Sequence, residues 1–301
     1  MDGFPVLNLF LIVMFGKVFR YVLTVGVAVV ASGMAATAQG RVEFLNEAVD
    51  TTVITQILIE VDGMRLGSAG EKMAAIGRRF AGRPYKGGTL EGNAQEVLTI
   101  GTEAFDCTTF VETVTAMAMT LEGGRSSWRD VVYNLRQLRY RGGEVDGYSS
   151  RLHYISDWII DNFHRGNLRE VTDRVGPADY QVKTLDFMSH NREKYPALAD
   201  SAAFAGIKNM EIGFRSHRYP YIKPMNIKKT ALKEGDIVAL TTSVKGLDVS
   251  HLGIIVIKDG KPHLMHASSR AGKVIEDPLT LEDYLKRNRT TTGIRVVRIM
   301  E

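Results

Sequence analysis

Val249-Ser250-His251-Leu252-Gly253-Ile254-Ile255-Val256-Ile257-Lys258-Asp259-Gly260-Lys261-Pro262-His263-Leu264-Met265-His266-Ala267-Ser268 decides how the C-terminal part of the chain folds. Two apolar, β-branched runs flank Asp259-Gly260, a dipeptide that tolerates the left-handed backbone of a two-residue hairpin turn. If Lys258 pairs with Lys261, counting outward sets Gly253 opposite His266 and His251 opposite Ser268. Side chains alternate along a strand, so His251 and His266 share one face, a diagonal step of about 7–8 Å apart at Cα. His263 falls on the other face. Gly253, lacking a side chain, leaves room for the His266 ring to lean toward His251.

The same strand signature recurs on both sides of this hairpin, at 236–242, 273–276 and 294–299. Upstream the period changes. Residues 41–62, 67–81, 107–122 and 127–140 carry apolar residues at helical spacing, with Gly82-Arg83-Pro84 ending the second helix and Gly123-Gly124 the third. The stretch 107–122 reads as an amphipathic helix with Phe110, Val111, Val114, Met117, Ala118 and Leu121 on one side. Residues 142–230 are less patterned, with clear helical character only at 151–164, and read as an elaboration on the core. Helices first and antiparallel strands afterwards predict an α+β domain.

Residues 1–38 have the layout of a secretory signal peptide: Lys17 and Arg20, the apolar run from Tyr21 to Ala31, then Ala36-Thr37-Ala38 before Gln39. Met14 offers an alternative start that gives a more ordinary charged leader. The apolar run falls short of the ~20 residues of a spanning helix, so an exported chain with no stable membrane insertion after cleavage is expected, most simply in the periplasm. Residues 39–301 then form a single catalytic domain. The formal charge of +4 is mild and scattered. It forms no nucleic-acid-binding stripe, and Arg139-Tyr140-Arg141 reads as a solvated helix end.

One cysteine, Cys107, is present among 301 residues. Exported proteins usually carry cysteines in pairs, so a lone one in Phe105-Asp106-Cys107-Thr108-Thr109-Phe110 suggests a free thiol kept for reactivity. Asp106 is placed to cap the helix that follows. Cys107 would then lie in its first turn, where backbone N–H groups and the positive end of the helix dipole favour a thiolate and could hold an oxyanion. His251 and His266 suit a base and its orienter. A zinc site built from Cys107, His251 and His266 is an alternative, although it lacks a closely spaced ligand pair.

Taken together, Asp106-Cys107-Thr108-Thr109-Phe110, Ser250-His251-Leu252-Gly253-Ile254 and Leu264-Met265-His266-Ala267-Ser268-Ser269 resemble the NlpC-type papain-like cysteine hydrolases of bacterial cell walls. The N-acetylmuramoyl-L-alanine amidase-like branch is the nearer likeness. Gly82-Arg83-Pro84-Tyr85, Gly88-Thr89-Leu90-Glu91, Asp146-Gly147-Tyr148, Arg151-Leu152-His153-Tyr154, Ser156-Asp157-Trp158 and Gly246-Leu247-Asp248-Val249 carry it. The resemblance implies a papain-like core with an enlarged middle insertion that helps form the substrate pocket. It implies Cys107 as nucleophile, His251 as general base, His266 as orienter, and Tyr85 beside the nucleophile, with Asp106 completing the oxyanion and substrate region. Arg151, His153, Asp157 and Ser250 are the candidates for contacts to a muropeptide. The reaction implied is hydrolysis of the amide between N-acetylmuramic acid and L-alanine, with no metal or organic cofactor. An endopeptidase cutting after D-glutamate and a wall-binding module without turnover remain alternatives.

Overall fold

The helices and strands alternate unevenly along the chain, and a computed structural model describes residues 42–93 and 95–300. Leaving aside four-residue helices at 172–175 and 187–190 and the 3-10 turns, they run in order β1 (Val42–Phe44), α1 (Glu47–Gly63), α2 (Ala69–Arg79), β2 (Leu98–Ile100), α3 (Cys107–Glu122), α4 (Trp128–Arg139) and α5 (Ile155–His164). Then follow β3 (Leu168–Glu170), β4 (Asp179–Lys183), α6 (Ser201–Gly213), β5 (His217–Tyr221), β6 (Ile237–Thr242), β7 (Val249–Lys258), β8 (Lys261–Ser268) and β9 (Lys273–Thr280). α7 (Leu281–Arg287) and β10 (Thr291–Ile299) close the chain. The leader expected at 1–38, its cleavage site and the alternative start at Met14 lie outside the described residues. Among those described, no helix is long and apolar enough to cross a membrane.

A six-stranded antiparallel sheet in the order β3-β10-β6-β7-β8-β9 organises the molecule. Leu252, Ile254, Val256, Met265 and Ala267 pack on one side with α1 to α5. On the other, Ile255, Leu264, Val296 and Val238 pack against Leu281 and Leu285 of α7 and against Val171, Val175, Ile222 and Ile227. The hairpin register is as counted, with Lys258 opposite Lys261 and Ile254 opposite Met265. Gly253 has a different reason from the one expected: a Cβ there would lie 2.5 Å from Leu264 Cδ1 and 3.0 Å from the Met265 carbonyl. Neighbouring β8, rather than an imidazole, excludes a side chain.

Several elements depart from the sequence reading. The first helix begins at Glu47, because Val42–Phe44 pairs in parallel with Leu98–Ile100 and the Asn46 N–H turns onto Asp50. The helix expected over 151–164 begins at Ile155, since Arg151 is extended and bridges Tyr140. The middle segment is more than an elaboration: Leu168–Glu170 pairs with β10 as an edge strand of the main sheet.

α3 is buried nearly all round, with 12 of its 16 residues inaccessible, so it is a core helix rather than an amphipathic one. Its polar residues are satisfied internally. The hydroxyls of Thr115 and Thr120 donate to the carbonyls of Val111 and Ala116. Glu112 accepts from Arg139 Nε at 2.7 Å while Arg139 Nη1 donates to the Thr99 carbonyl at 2.6 Å. Arg139 is therefore 2% exposed and Tyr140 1%, and the solvated helix end expected there is a buried junction of α3, α4 and β2. Removing one partner strands a buried charge. Glu112→Ala is expected to lower the unfolding free energy by about 3–5 kcal/mol in urea titration, and a loss below about 1 kcal/mol would contradict this role.

Candidate active site

Asp106 caps α3 as its sequence position suggested. Its Oδ1 accepts the N–H groups of Thr108 at 3.0 Å and Thr109 at 2.8 Å, and its own N–H donates to Thr109 Oγ1 at 2.9 Å. That reciprocal cap fixes Cys107 as the first helical residue. It also occupies N–H groups that an oxyanion would otherwise use, and the Phe110 N–H goes to the Asp106 carbonyl.

Backbone pairing brings Tyr85 alongside. The Phe105 N–H donates to the Pro84 carbonyl, the Lys86 N–H to the Phe105 carbonyl, and the Tyr85 N–H to the Gly272 carbonyl. Residues 84–86 are thus stitched between the approach to α3 and the start of β9. Burial raises the Tyr85 phenol, and negative charge at Cys107 and Asp106 adds to it. Its hydroxyl makes no hydrogen bond among the described residues.

From the other side comes β7. The Leu252 backbone, one residue after His251, is close enough to the Cys107 thiol to lower it, so the thiol rests against the histidine strand. His251 Nε2 lies 2.6 Å from His266 Nδ1, with the rings perpendicular at 87° and their centroids 4.8 Å apart. His251 Nδ1 makes no hydrogen bond among the described residues. Those nitrogens face each other rather than a shared centre, and no group of three His, Cys, Asp or Glu among the described residues is arranged to hold a metal ion.

The electrostatics differ from the thiolate expected. Burial pushes the Cys107 thiol up to about 11, with the Asp106 carboxylate adding to the rise. Hydrogen bonds from Leu252, Thr108 and its own backbone pull the other way without offsetting it. Burial lowers His251 to about 4, and burial followed by the neighbouring His251 lowers His266 to about 3. Thiol and imidazoles are therefore neutral together at rest.

Three of the other expected residues have partners within the fold. Arg151 is buried, with Nη2 on Glu91 at 2.7 Å and Nη1 on the Leu90 carbonyl at 3.2 Å, and its guanidinium lies 4.9 Å over the Tyr148 ring. His153 Nε2 donates to the Tyr148 carbonyl. Asp157 accepts both Arg141 nitrogens, at 3.0 and 2.6 Å. Ser250 is exposed. The sequence reading missed Tyr284, whose ring meets His266 edge-on at 5.4 Å. Burial, then Asp277 and Cys107, raise its phenol to about 12. Thr280 three residues before Asp283 reads as a helix cap and would have placed Tyr284 on a short helix, but nothing local aims it at the site.

Comparison with known proteins puts the chain among hydrolases of amide bonds. A family model described as AmiA-like, N-acetylmuramoyl-L-alanine amidase-like, matches residues 75–294, and the chain belongs to that family of peptidoglycan amidase-like proteins. An N-acetylmuramoyl-L-alanine amidase from Bacteroides uniformis is 37% identical, covering 78% of this chain and 100% of its own, with a TM-score of 0.74. A Bacteroides fragilis protein provisionally described as a xylanase is 41% identical over 74% of this chain and 98% of its own, at a TM-score of 0.70. A Legionella pneumophila protein shares the fold at 20% identity and a TM-score of 0.63, over 85% of this chain and 97% of its own. No curated protein matches.

His153, lowered by burial to about 3, joins His251 and His266 as an imidazole held neutral by the fold. All three take up protons more readily when unfolded, near the ordinary value of about 6.5. Their contribution to stability is complete above that pH and is lost as pH falls through it toward the folded values. Thermal melts should show a level Tm from pH 8 to about 7 and a falling one below about 6.5. A Tm unchanged down to pH 5 would contradict the buried neutral histidines.

Proposed function

We propose that this chain is a cysteine amidase with a papain-like arrangement of nucleophile and base, acting on the amide between N-acetylmuramic acid and L-alanine in muropeptides. The observation that carries the reading is the 2.6 Å bond from His251 Nε2 to His266 Nδ1 beside a thiol seated on the Leu252 backbone. Such a bond fixes the His251 ring and leaves its other nitrogen as a base for the sulfur. The bond chosen follows the family description and the name of the Bacteroides uniformis relative. Glycoside hydrolysis, suggested by the Bacteroides fragilis description, calls for a pair of carboxylates flanking the scissile bond. The carboxylates near this thiol, Asp106 and Asp277, are instead committed to the α3 cap and to the Leu279 N–H and His266.

In the proposed mechanism, the Cys107 proton moves to His251 Nδ1 as sulfur attacks the lactyl carbonyl, since neither group is charged at rest. The Tyr85 hydroxyl, which has no other partner among the described residues, donates to the oxyanion in this scheme. His251 then returns the proton to the departing L-alanine nitrogen, leaving the muramoyl group as a thioester on Cys107. Water, deprotonated by His251, releases the muramoyl carboxylate and restores the thiol. We further propose that residues 1–38 export the chain, with the reaction taking place in the periplasm.

Digestion of defined muropeptides should yield free disaccharide and an intact stem peptide by mass. Cys107→Ser should abolish both products, and Tyr85→Phe should lower kcat about 10²-fold. Products cut within the stem, or turnover that survives Cys107→Ser, would overturn the proposal. Alkylation of Cys107 by iodoacetamide should keep accelerating with pH beyond 9, as a thiol raised to about 11 requires. A plateau near neutral pH would indicate a preformed thiolate instead.

A further inference from the structure

His266 is 1% exposed and its Nε2 is buried without a hydrogen-bond partner. A buried imidazole nitrogen left in that state calls for an explanation. The atom facing it is Asp277 Oδ2, 3.6 Å away. We infer that Asp277 is a positioning residue: it holds the His266 proton on Nε2, and through the His251–His266 bond it fixes which nitrogen of His251 is free to accept the thiol proton. The inference rests on the thiol–imidazole reading of the site.

Local structure places this carboxylate. β8 and β9 pair regularly from Ser268↔Lys273 to Met265↔Glu276, then slip before His263↔Thr280, leaving Asp277, Pro278 and Leu279 in a bulge. Bulges re-aim side chains, often beside active sites. Pro278 has no N–H to lose from the ladder. The Leu279 N–H donates to Asp277 Oδ1 at 2.9 Å, and His263 Nδ1 donates to the Asp277 carbonyl at 3.1 Å. With Oδ1 and the backbone held, Oδ2 is the oxygen left to face His266. A bond of this kind can be long before substrate arrives and tighten afterwards.

Proton bookkeeping gives the consequence. A carboxylate can only accept, so its partner Nε2 carries the proton and the neutral His266 ring presents a bare Nδ1. His251 must then donate from Nε2, which leaves its Nδ1 lone pair for the sulfur. Reversing the first step reverses all of them and puts a proton on the nitrogen that should act as base. Tyr284 meets the same ring edge-on, so His251, Asp277 and Tyr284 are the titratable groups in contact with His266, and Asp277 alone among them is a carboxylate.

Asparagine and alanine at 277 separate this role from a structural one. Asp277→Asn keeps an oxygen for the Leu279 N–H but can turn its NH2 to Nε2, forcing the unproductive tautomer. Asp277→Ala removes the turn and leaves the tautomer unconstrained. Expected for Asn is a kcat loss of about 10²–10⁴-fold, with KM nearly unchanged and Tm close to the parent protein, and for Ala a smaller kcat loss. A purely structural Asp277 gives the opposite order, and that result, or unchanged kcat in both variants, overturns the inference. In the unsubstituted protein, ¹⁵N-histidine NMR at neutral pH should find the His266 proton on Nε2, and a proton on Nδ1 overturns it even where a variant fails to fold. That readout needs no turnover, so its failure is distinct from failure of the amidase reading, which Cys107→Ser reports.

Discussion

A hydrogen bond from a half-buried imidazole, His251, to a buried one, His266, is the constraint around which this site is arranged. Neither ring could hold its orientation alone in a small half-buried space, and His266 could not take a proton on Nδ1 without breaking the bond it accepts from His251 Nε2. The main sheet meets both conditions by carrying the two rings on adjacent strands of one hairpin, in a register set by Asp259-Gly260. Everything else at the site approaches that pair: Cys107 from the start of α3, Tyr85 from a backbone-paired loop, Asp277 from a bulge, and Tyr284 from a short helix.

Burial is what sets the chemistry. α3 enters the core so completely that its first residue is already poorly solvated, and the cap that fixes that residue is itself a carboxylate. The favourable helix-end field is outweighed, and the thiol stays protonated at rest. In the proposed mechanism a neutral thiol and a neutral imidazole suit proton transfer concerted with attack, whereas a preformed ion pair would need solvation that this site lacks. The same desolvation strengthens hydrogen bonds aimed at charge that develops only during reaction.

Much of this was legible from local signals. Asp106 and Gly123 bound the helix, Asp259-Gly260 fixes the hairpin, and the spacing of His251 and His266 across it follows from counting. What escaped was decided by distant partners. Val42–Phe44 becomes a strand because Leu98–Ile100 lies beside it, and Arg139 is buried because Glu112 and the Thr99 carbonyl receive it. The middle segment was opaque for the same reason, since Leu168–Glu170 finds its pairing at Val297–Ile299. At Cys107 the helix N-terminus is visible in sequence, whereas the burial that raises the thiol is not.

Intact-mass spectrometry of the protein mixed rapidly with a muropeptide tests the central claim most directly. The account predicts a transient adduct equal to the muramoyl acyl group, mapping to the peptide that contains Cys107 and decaying as free disaccharide appears. Turnover with the thiol fully alkylated and no adduct at any time would contradict it.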